Sequence, residues 1–333
     1  MARLTPARPL QRRALCGAAA GVALAGLWPL AARGQGWPER AQRWVVPFPA
    51  GGVLDALTRS VAEPMAAASG HAIVVENLPG AAGNLGIQAV ARAAGDGGTW
   101  LFVPQGNITI NATLLPNAPF RWERDFRPVT LLAYAANVLA VHPSVPATSL
   151  RELIALAKAQ PGRLGFASPG VGSSLHLIGE LLAREAGISL LHVPYKGTTA
   201  ALQDTVGGQV QMIFGAVPTL APTIRNGKLR AIAVTTAKRA DTLPDVPTLA
   251  EQGIALDVPS WYGVMAPAAT PPALIERAQA ALAAAVAQPA VRDKLLAQGL
   301  LPLASKPVDF AQQIARETAV WAKVIREAGV KPE

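Results

Sequence analysis

The sequence predicts an α/β protein built as two Rossmann-like lobes joined by crossing strands, with a central cleft between them. Three observations carry this. The chain has 333 residues, 51% hydrophobic and 15% charged, enough apolar material for about two domains of 100 to 200 residues each. Short apolar runs alternate with amphipathic helical patterns in two separate sets, the signature of strands and helices in α/β units. Two apolar stretches, Val129 to Val141 and Ile254 to Val264, link those sets as crossings. Gly and Pro number 30 and 29 and are scattered, which excludes a fibrous or low-complexity chain.

The chain opens with a basic segment over residues 1–13, an uncharged stretch from Ala14 to Ala32, and the small residues Gly34 and Gly36, in the order of a secretory signal. Residues 1–36 are therefore expected to be a signal peptide, removed on export to the periplasm. The competing reading is a retained anchor, which Pro29 and the many small residues disfavour. Arg12-Arg13 is compatible with twin-arginine export.

Trp44 to Val46, Ala72 to Glu76 and Trp100 to Val103 read as strands, separated by helices at Leu54 to Ala68 and Leu85 to Ala94. In the second set Ser149 and Glu152 form a capping box. Leu150, Leu153, Ile154 and Ala157 line one face of the helix it starts, and Pro161-Gly162 ends it. Strands at Leu164 to Ala167, Leu190 to Val193, Gln211 to Phe214 and Arg230 to Val234 alternate with helices at Leu175 to Ala186, Thr199 to Val206 and Pro218 to Asn226. This spacing predicts parallel sheets covered on both faces. Helices at Pro272 to Ala287, Val291 to Gln298 and Val308 to Ala328 close the chain. The first lobe is expected to comprise residues 37–139 and 256–333, and the second 140–255.

The formal charge is +9, but Arg3, Arg8, Arg12, Arg13 and Arg33 all precede the first acidic residue, Glu39. Taking these five from +9 leaves +4 on the remainder. With no basic cluster interleaved with aromatics, nucleic-acid binding is not expected. Cys16 is the one cysteine and lies inside the apolar stretch, so a mature chain lacks thiol chemistry and suits an oxidising compartment. His71, His142, His176 and His192 show no metal-ligand spacing, and neither a metal nor a cofactor is expected.

The most informative segment is Val46-Pro47-Phe48-Pro49-Ala50-Gly51-Gly52-Val53-Leu54-Asp55, a strand entering a Gly-rich turn and then a helix. Glycines allow a ligand close to the backbone, and the positive end of the helix dipole favours an anion. A plain structural turn explains the same Gly-Gly. Its counterpart in the second lobe is Ser168-Pro169-Gly170-Val171-Gly172-Ser173-Ser174, again between strand and helix, where Ser173 or Ser174 is either an N-cap or a ligand contact. Asp55 either pairs with Arg59 one turn on, or in the first turn fixes the Gly-rich loop or meets an ammonium group or water on a ligand. His176 invites a Ser173–His176 hydrolase reading, disfavoured by the missing Gly-x-Ser-x-Gly elbow and orienting acid. Gln105 and Asn107 after the third strand, and Tyr195 and Lys196 after a second-lobe strand, complete the candidates. Lys196 is otherwise a solvated lysine.

Together these segments resemble the Bug family, extracytoplasmic substrate-binding receptors of tripartite tricarboxylate transporters. The matching stretches are Val46-Pro-Phe-Pro-Ala-Gly-Gly-x-x-Asp55, Val75-Glu-Asn-x-Pro-Gly80, Asp125-Phe-x-Pro-Val129, Ala167-Ser-x-Gly-x-Gly-Ser173 with His176-Leu177, and His192-Val-Pro-Tyr-Lys-Gly197. Further on come Gly207-Gly-Gln-Val210, Gly227-Lys-Leu-Arg-Ala231, Leu243-Pro-Asp-Val-Pro-Thr248 and Trp261-Tyr-Gly-Val-Met-Ala-Pro267. Departures are Gly98, where an aromatic is usual after Asp-Gly, and Asn111-Ala112 in place of Asn-Pro.

The resemblance implies a periplasmic-binding-protein fold closing on a small carboxylate. The Phe48-to-Asp55 loop would form one jaw, and main-chain amides and ordered waters would meet the carboxylate oxygens. It also implies a monomeric receptor, not an enzyme, that delivers a small organic acid to membrane permease subunits. A sensor kinase is the alternative partner, and a secreted serine hydrolase the alternative from another class. The ligand-binding set expected from all of this is Phe48, Pro49, Ala50, Gly51, Gly52, Val53, Asp55, Gln105, Asn107, Ser168, Gly172, Ser173, Ser174, His176, Tyr195 and Lys196.

Overall fold

Strand β1 (Gln42–Val46) lies between β2 (Ile73–Asn77) and β3 (Thr99–Pro104), with Trp44 in register with Val75 on one side and Trp100 on the other. Both pairings are parallel, so each return needs a crossover helix; α1 (Val53–Ser69) and α2 (Asn84–Ala91) supply them. The computed structural model describes Trp37 and residues 39–115 and 117–331, so the expected signal peptide lies outside the described residues.

After β3 come three short helices, α3 (Gln105–Thr109), α4 (Asn111–Leu114) and α5 (Trp122–Asp125), then the long strand β4 (Phe126–Ala135). The chain crosses at Ala136 into β5 (Asn137–Val141), so the single apolar run seen in the sequence serves two sheets. The second set follows as α6 (Leu150–Ala159), β6 (Gly165–Ser168), α7 (Ser174–Ala186), β7 (Leu191–Pro194), α8 (Thr198–Val206), β8 (Met212–Ala216), α9 (Val217–Arg225) and β9 (Arg230–Val234). The return passes into β10 (Ser260–Pro267), α10 (Pro272–Ala287), α11 (Pro289–Ala297), the three-residue edge strand β11 (Leu300–Pro302) and α12 (Pro307–Ala328). Strand orders are β11-β4-β10-β3-β1-β2 and β7-β6-β8-β5-β9.

The sheets are mixed, not parallel throughout as the alternation predicts. β10 runs antiparallel to β3 and β4, and β5 antiparallel to β8 and β9. The cause is the crossing itself: a strand passing directly from one sheet to the other enters beside the carboxyl ends of the strands already there. Asn137 at the start of β5 is accordingly in register with Ala216 at the end of β8, and Tyr262 near the start of β10 with Pro104 at the end of β3. The carboxyl ends of the parallel strands in both sheets therefore lie on the side where the chain crosses, which is where an open α/β sheet offers its loops to a ligand.

Local signals behave largely as the sequence indicates. Ser149 caps α6 by accepting from the Glu152 amide at 3.3 Å, although the Glu152 carboxylate reaches past Ser149 to the Thr148 amide, 2.6 Å. At Gly98 a Cβ would press only on the movable ends of Arg40 and Asp96, and nothing in the structure explains that departure.

One core packs Trp44, Trp100, Leu57 and Leu282 around the first sheet, and another packs Phe166, Phe214, Leu139 and Ile178 around the second. α12 serves both sheets. Its Phe310 and Ile314 are buried with Leu101 and Trp261, whereas Trp321, Val324 and Ile325 are buried with Leu139 and Phe166. The two crossings are also tied to one another. Asn137 donates to the Val258 carbonyl (3.0 Å) and accepts from Ser260 Oγ (2.9 Å), while the Thr235 amide donates to the Asn137 carbonyl (2.9 Å).

Because Asn137 is fully buried, Asn137→Ala should lower the unfolding free energy by about 1–3 kcal/mol, the cost of leaving buried partners unpaired. Urea denaturation measures this, and an unchanged midpoint would show that the crossings are not held by this side chain.

Candidate functional site

The first jaw is the turn between β1 and α1. Pro49 to Gly52 are exposed, Gly51 has φ +85°, and a Cβ placed on Gly51 meets nothing within 4 Å. Phe48 is partly buried, as is Val53 at the start of α1. No side chain caps α1, so the amides of its first turn have only what reaches the turn from outside. Asp55 sits beneath them, 5% exposed. Its carboxylate accepts from the Gly51 amide (2.9 Å), Arg59 Nε (3.0 Å) and Asn77 Nδ2 (3.0 Å). Asn77 Nδ2 also donates to the Phe48 carbonyl, 3.0 Å. Burial pushes the Asp55 pKa up, but the bonds from Arg59, Gly51 and Asn77 outweigh it, and the carboxyl rests below the usual range. Asp55 thus both pairs with Arg59 and fixes the loop through the Gly51 amide.

The second jaw is the turn between β6 and α7. Ser173 Oγ accepts from the His176 amide (3.1 Å) and donates to the Gly170 carbonyl (2.8 Å), so Ser173 is the N-cap of α7. Ser168 is fully buried at the end of β6, and its hydroxyl accepts from the Gly170 amide, 3.2 Å. The Gly172 amide donates to His176 Nδ1, 3.3 Å. This leaves no Ser173–His176 nucleophile pair, since the serine hydroxyl and the imidazole are each engaged by main chain. The Tyr195 amide donates to the Ser168 carbonyl (3.0 Å) and the Gly197 amide to the Pro169 carbonyl (3.2 Å), which ties the segment after β7 to this turn. The Tyr195 hydroxyl donates to Asp204, 2.9 Å, and Lys196 is exposed.

Both jaws border the helical segment α3–α4. On one side Asn107 Nδ2 donates to the Ala82 carbonyl (2.8 Å), and a Cβ on Gly83 would lie 3.1 Å from Asn107 Nδ2 and 3.2 Å from Phe48 Cζ. On the other, a Cβ on Gly106 would lie 3.2 Å from the Ser174 amide nitrogen, and one on Gly172 would collide with Leu114. Loops from the two sheets therefore converge on a single short stretch, and glycines sit where the approach is tightest. Gln105, at the start of α3, donates to Glu317 of α12 (2.7 Å), which also accepts from Trp261 Nε1 (2.6 Å) and Gln313 (2.8 Å).

The residue reading missed the turn at Gly80 to Gly83, whose φ angles are +132°, +47°, +52° and +93°. Two of these residues are alanines, for which the left-handed region costs about 1–2 kcal/mol each. Such strain concentrates at functional loops. The signal available in the sequence was Pro79-Gly80 followed by Gly83.

The sequence model of the tripartite tricarboxylate transporter family receptor, TctC, matches residues 57–330. The chain belongs to this receptor family. Its relatives include protein BugT of Bordetella pertussis, 36% identical over 89% of this chain and 91% of BugT. Among solved receptors, Rpa4515 of R. palustris with adipate superimposes with a TM-score of 0.84 at 33% identity, covering 89% of this chain and all of that one. MatC of Rhodopseudomonas palustris with bound malate gives 0.79 at 33% identity over 87% of this chain and all of MatC. Membership settles the class: the protein is a solute-binding receptor, not an enzyme. Among the described residues no helix is long and apolar enough to cross a membrane.

Because the Asp55 pKa is lowered in the folded receptor, its contribution to stability is complete above the ordinary carboxylate range and is lost as pH falls through the lowered value. Asp55→Ala should cost about 1–3 kcal/mol at neutral pH, with the difference from the parent protein shrinking in acid. Denaturation at several pH values measures this; a constant difference would place the effect on packing, not on the charge.

Proposed function

We propose that this receptor captures a small organic acid in the periplasm and presents it to the membrane permease subunits of a tripartite transporter. The observation that carries the reading is that two main-chain turns from different sheets, each at the start of a helix, are brought to α3, the first through Phe48 and the Ala82–Gly83 turn and the second through Ser174 beside Gly106. Uncharged N–H groups at a helix start favour an anion, and turns contributed by different sheets become simultaneous partners only when the lobes are together. A ligand that binds the joined form better than the separated one shifts the population toward it. The relatives with adipate and malate support a carboxylate ligand.

In this reading Phe48 to Val53 form the jaw on the first lobe, and Ser168, Gly172, Ser173 and Ser174 the jaw on the second. Asn107 lies between them, and Lys196 is on the segment whose Tyr195 and Gly197 amides bond to the second turn. Asp55, Gln105, His176 and Tyr195 act through the loops they hold. The lobes comprise residues 37–139 with 256–333, and 140–255, save that β5 belongs to the second sheet from Asn137 onward and α12 carries its last turns onto the second core. Residues 1–36 direct export and are removed, and the mature receptor works as a monomer.

Thermal unfolding with and without ligand tests this. At a hundredfold excess over Kd, adipate or malate should stabilise the protein by about 2.7 kcal/mol, visible as a rise in Tm. Gly51→Val should abolish that rise, because a branched side chain is strained at positive φ and stands where the ligand must approach. A folded Gly51→Val protein with undiminished ligand response would remove this turn from the site.

A further inference from the structure

His176 and His192 are stacked face to face in the second lobe, ring centroids 3.7 Å apart and planes 10° from parallel. They come from different elements, α7 and β7. Phe166 of β6 lies against His192 (centroids 4.9 Å, planes 33° apart), and a Cβ on Gly179 of α7 would collide with the same phenyl ring. His176 is 4% exposed.

Each imidazole reaches the second jaw through one nitrogen. His176 Nδ1 accepts from the Gly172 amide at 3.3 Å, which places its proton on Nε2, 3.5 Å from Glu180 Oε1. His192 Nε2 lies 2.7 Å from Ser168 Oγ, and that hydroxyl accepts from the Gly170 amide at 3.2 Å. Two alternate residues of the turn, Gly170 and Gly172, are thus oriented by the same pair of rings. Both glycines have positive φ, +137° and +75°.

We infer that the stacked His176–His192 pair positions the second jaw for ligand capture, His176 through the Gly172 amide and His192 through the Ser168 hydroxyl. The inference rests on the receptor reading given above. Without the imidazole of His176 the buried Gly172 amide loses its acceptor. His192 meets Ser168 as a neutral ring: burial, with the His176 ring adding to it, pushes its pKa down to about 3. With that depressed value His192 stays neutral in the folded protein while the unfolded chain charges, so stability falls as pH drops below the ordinary histidine value of about 6.5.

The charged groups around the pair are few. Glu180 faces His176 from its own helix, and His192 faces it from β7. From α12, which packs on α7, Glu327 pairs with Arg184, two turns beyond His176. The neighbours on β6 and β8, Phe166 and Phe214, are apolar.

The test has a ligand-free arm and a ligand arm. In the unliganded protein the Gly172 amide resonance followed by NMR should move in His176→Leu, which removes its acceptor, and stay near its wild-type position in His176→Asn, which keeps one. A Gly172 resonance that His176→Leu leaves in place would overturn the inference whatever ligand the receptor takes. With adipate as probe, His176→Leu should bind roughly tenfold more weakly than wild type, and His176→Asn within about twofold of it. Equal affinity in wild type and His176→Leu, or equal loss in His176→Leu and His176→Asn, would contradict the inference. Adipate failing to bind the wild-type protein while Gly172 moves in His176→Leu alone would count against the proposed ligand class and leave the positioning role supported.

Discussion

An anion held by main-chain amides must find them already aimed. A lysine or arginine can swing toward a carboxylate after it arrives, whereas an N–H group is fixed by the backbone around it, and any cost of ordering that backbone is subtracted from affinity. The first turn is oriented by the Asp55 carboxylate through the Gly51 amide and by Asn77 through the Phe48 carbonyl. The second is oriented by Ser173, Ser168 and His176. In both, polar side chains hydrogen-bond to the loop's main chain; Gly51 and Gly52 of the first turn are exposed, whereas Gly172 of the second is buried against Leu114. Chemically conspicuous residues near a binding site are here part of its frame.

The second requirement is that the turns from two sheets share one ligand, and the route of the chain supplies it. The direct crossing at Ala136 and the longer return through residues 235–259 bring β5 and β10 in against the strands beside them, with the carboxyl ends of the parallel strands on the crossing side in both sheets. Asn137, Thr235, Val258 and Ser260 bind the crossings into one hydrogen-bonded strap. α12 adds a rigid element packed on both cores, and Glu317 at its middle collects donors from α3 and β10. A motion that separates the lobes has to be accommodated at these few places, as hinges generally are.

Much of this architecture was legible before any coordinates. The helices after both jaws, the Ser149 cap and the long apolar run through Val129 to Val141 follow from local periodicity and capping chemistry, which depend on near neighbours in sequence. The same holds for the two Gly-rich turns. What was not legible depends on distant partners. The bond from Gln105 to Glu317, 212 residues away, is one such contact, and the stacking of His192 on His176 is another. The antiparallel entries of β5 and β10 reflect where the chain crosses, to which period-two patterning is blind, and β11, three residues long, is too short to carry a pattern. The strained alanines at 81 and 82 are hidden because alanine carries no turn signal of its own.

A crystal structure of the mature receptor with adipate tests the central claim most directly. It should place carboxylate oxygens within about 3 Å of main-chain nitrogens from both the Phe48-to-Val53 turn and the Ser168-to-Ser174 turn, with Asp55 still on the Gly51 amide and His176 still on that of Gly172. Adipate carboxylates resting on lysine or arginine side chains, or touching only one of the two turns, would contradict the account.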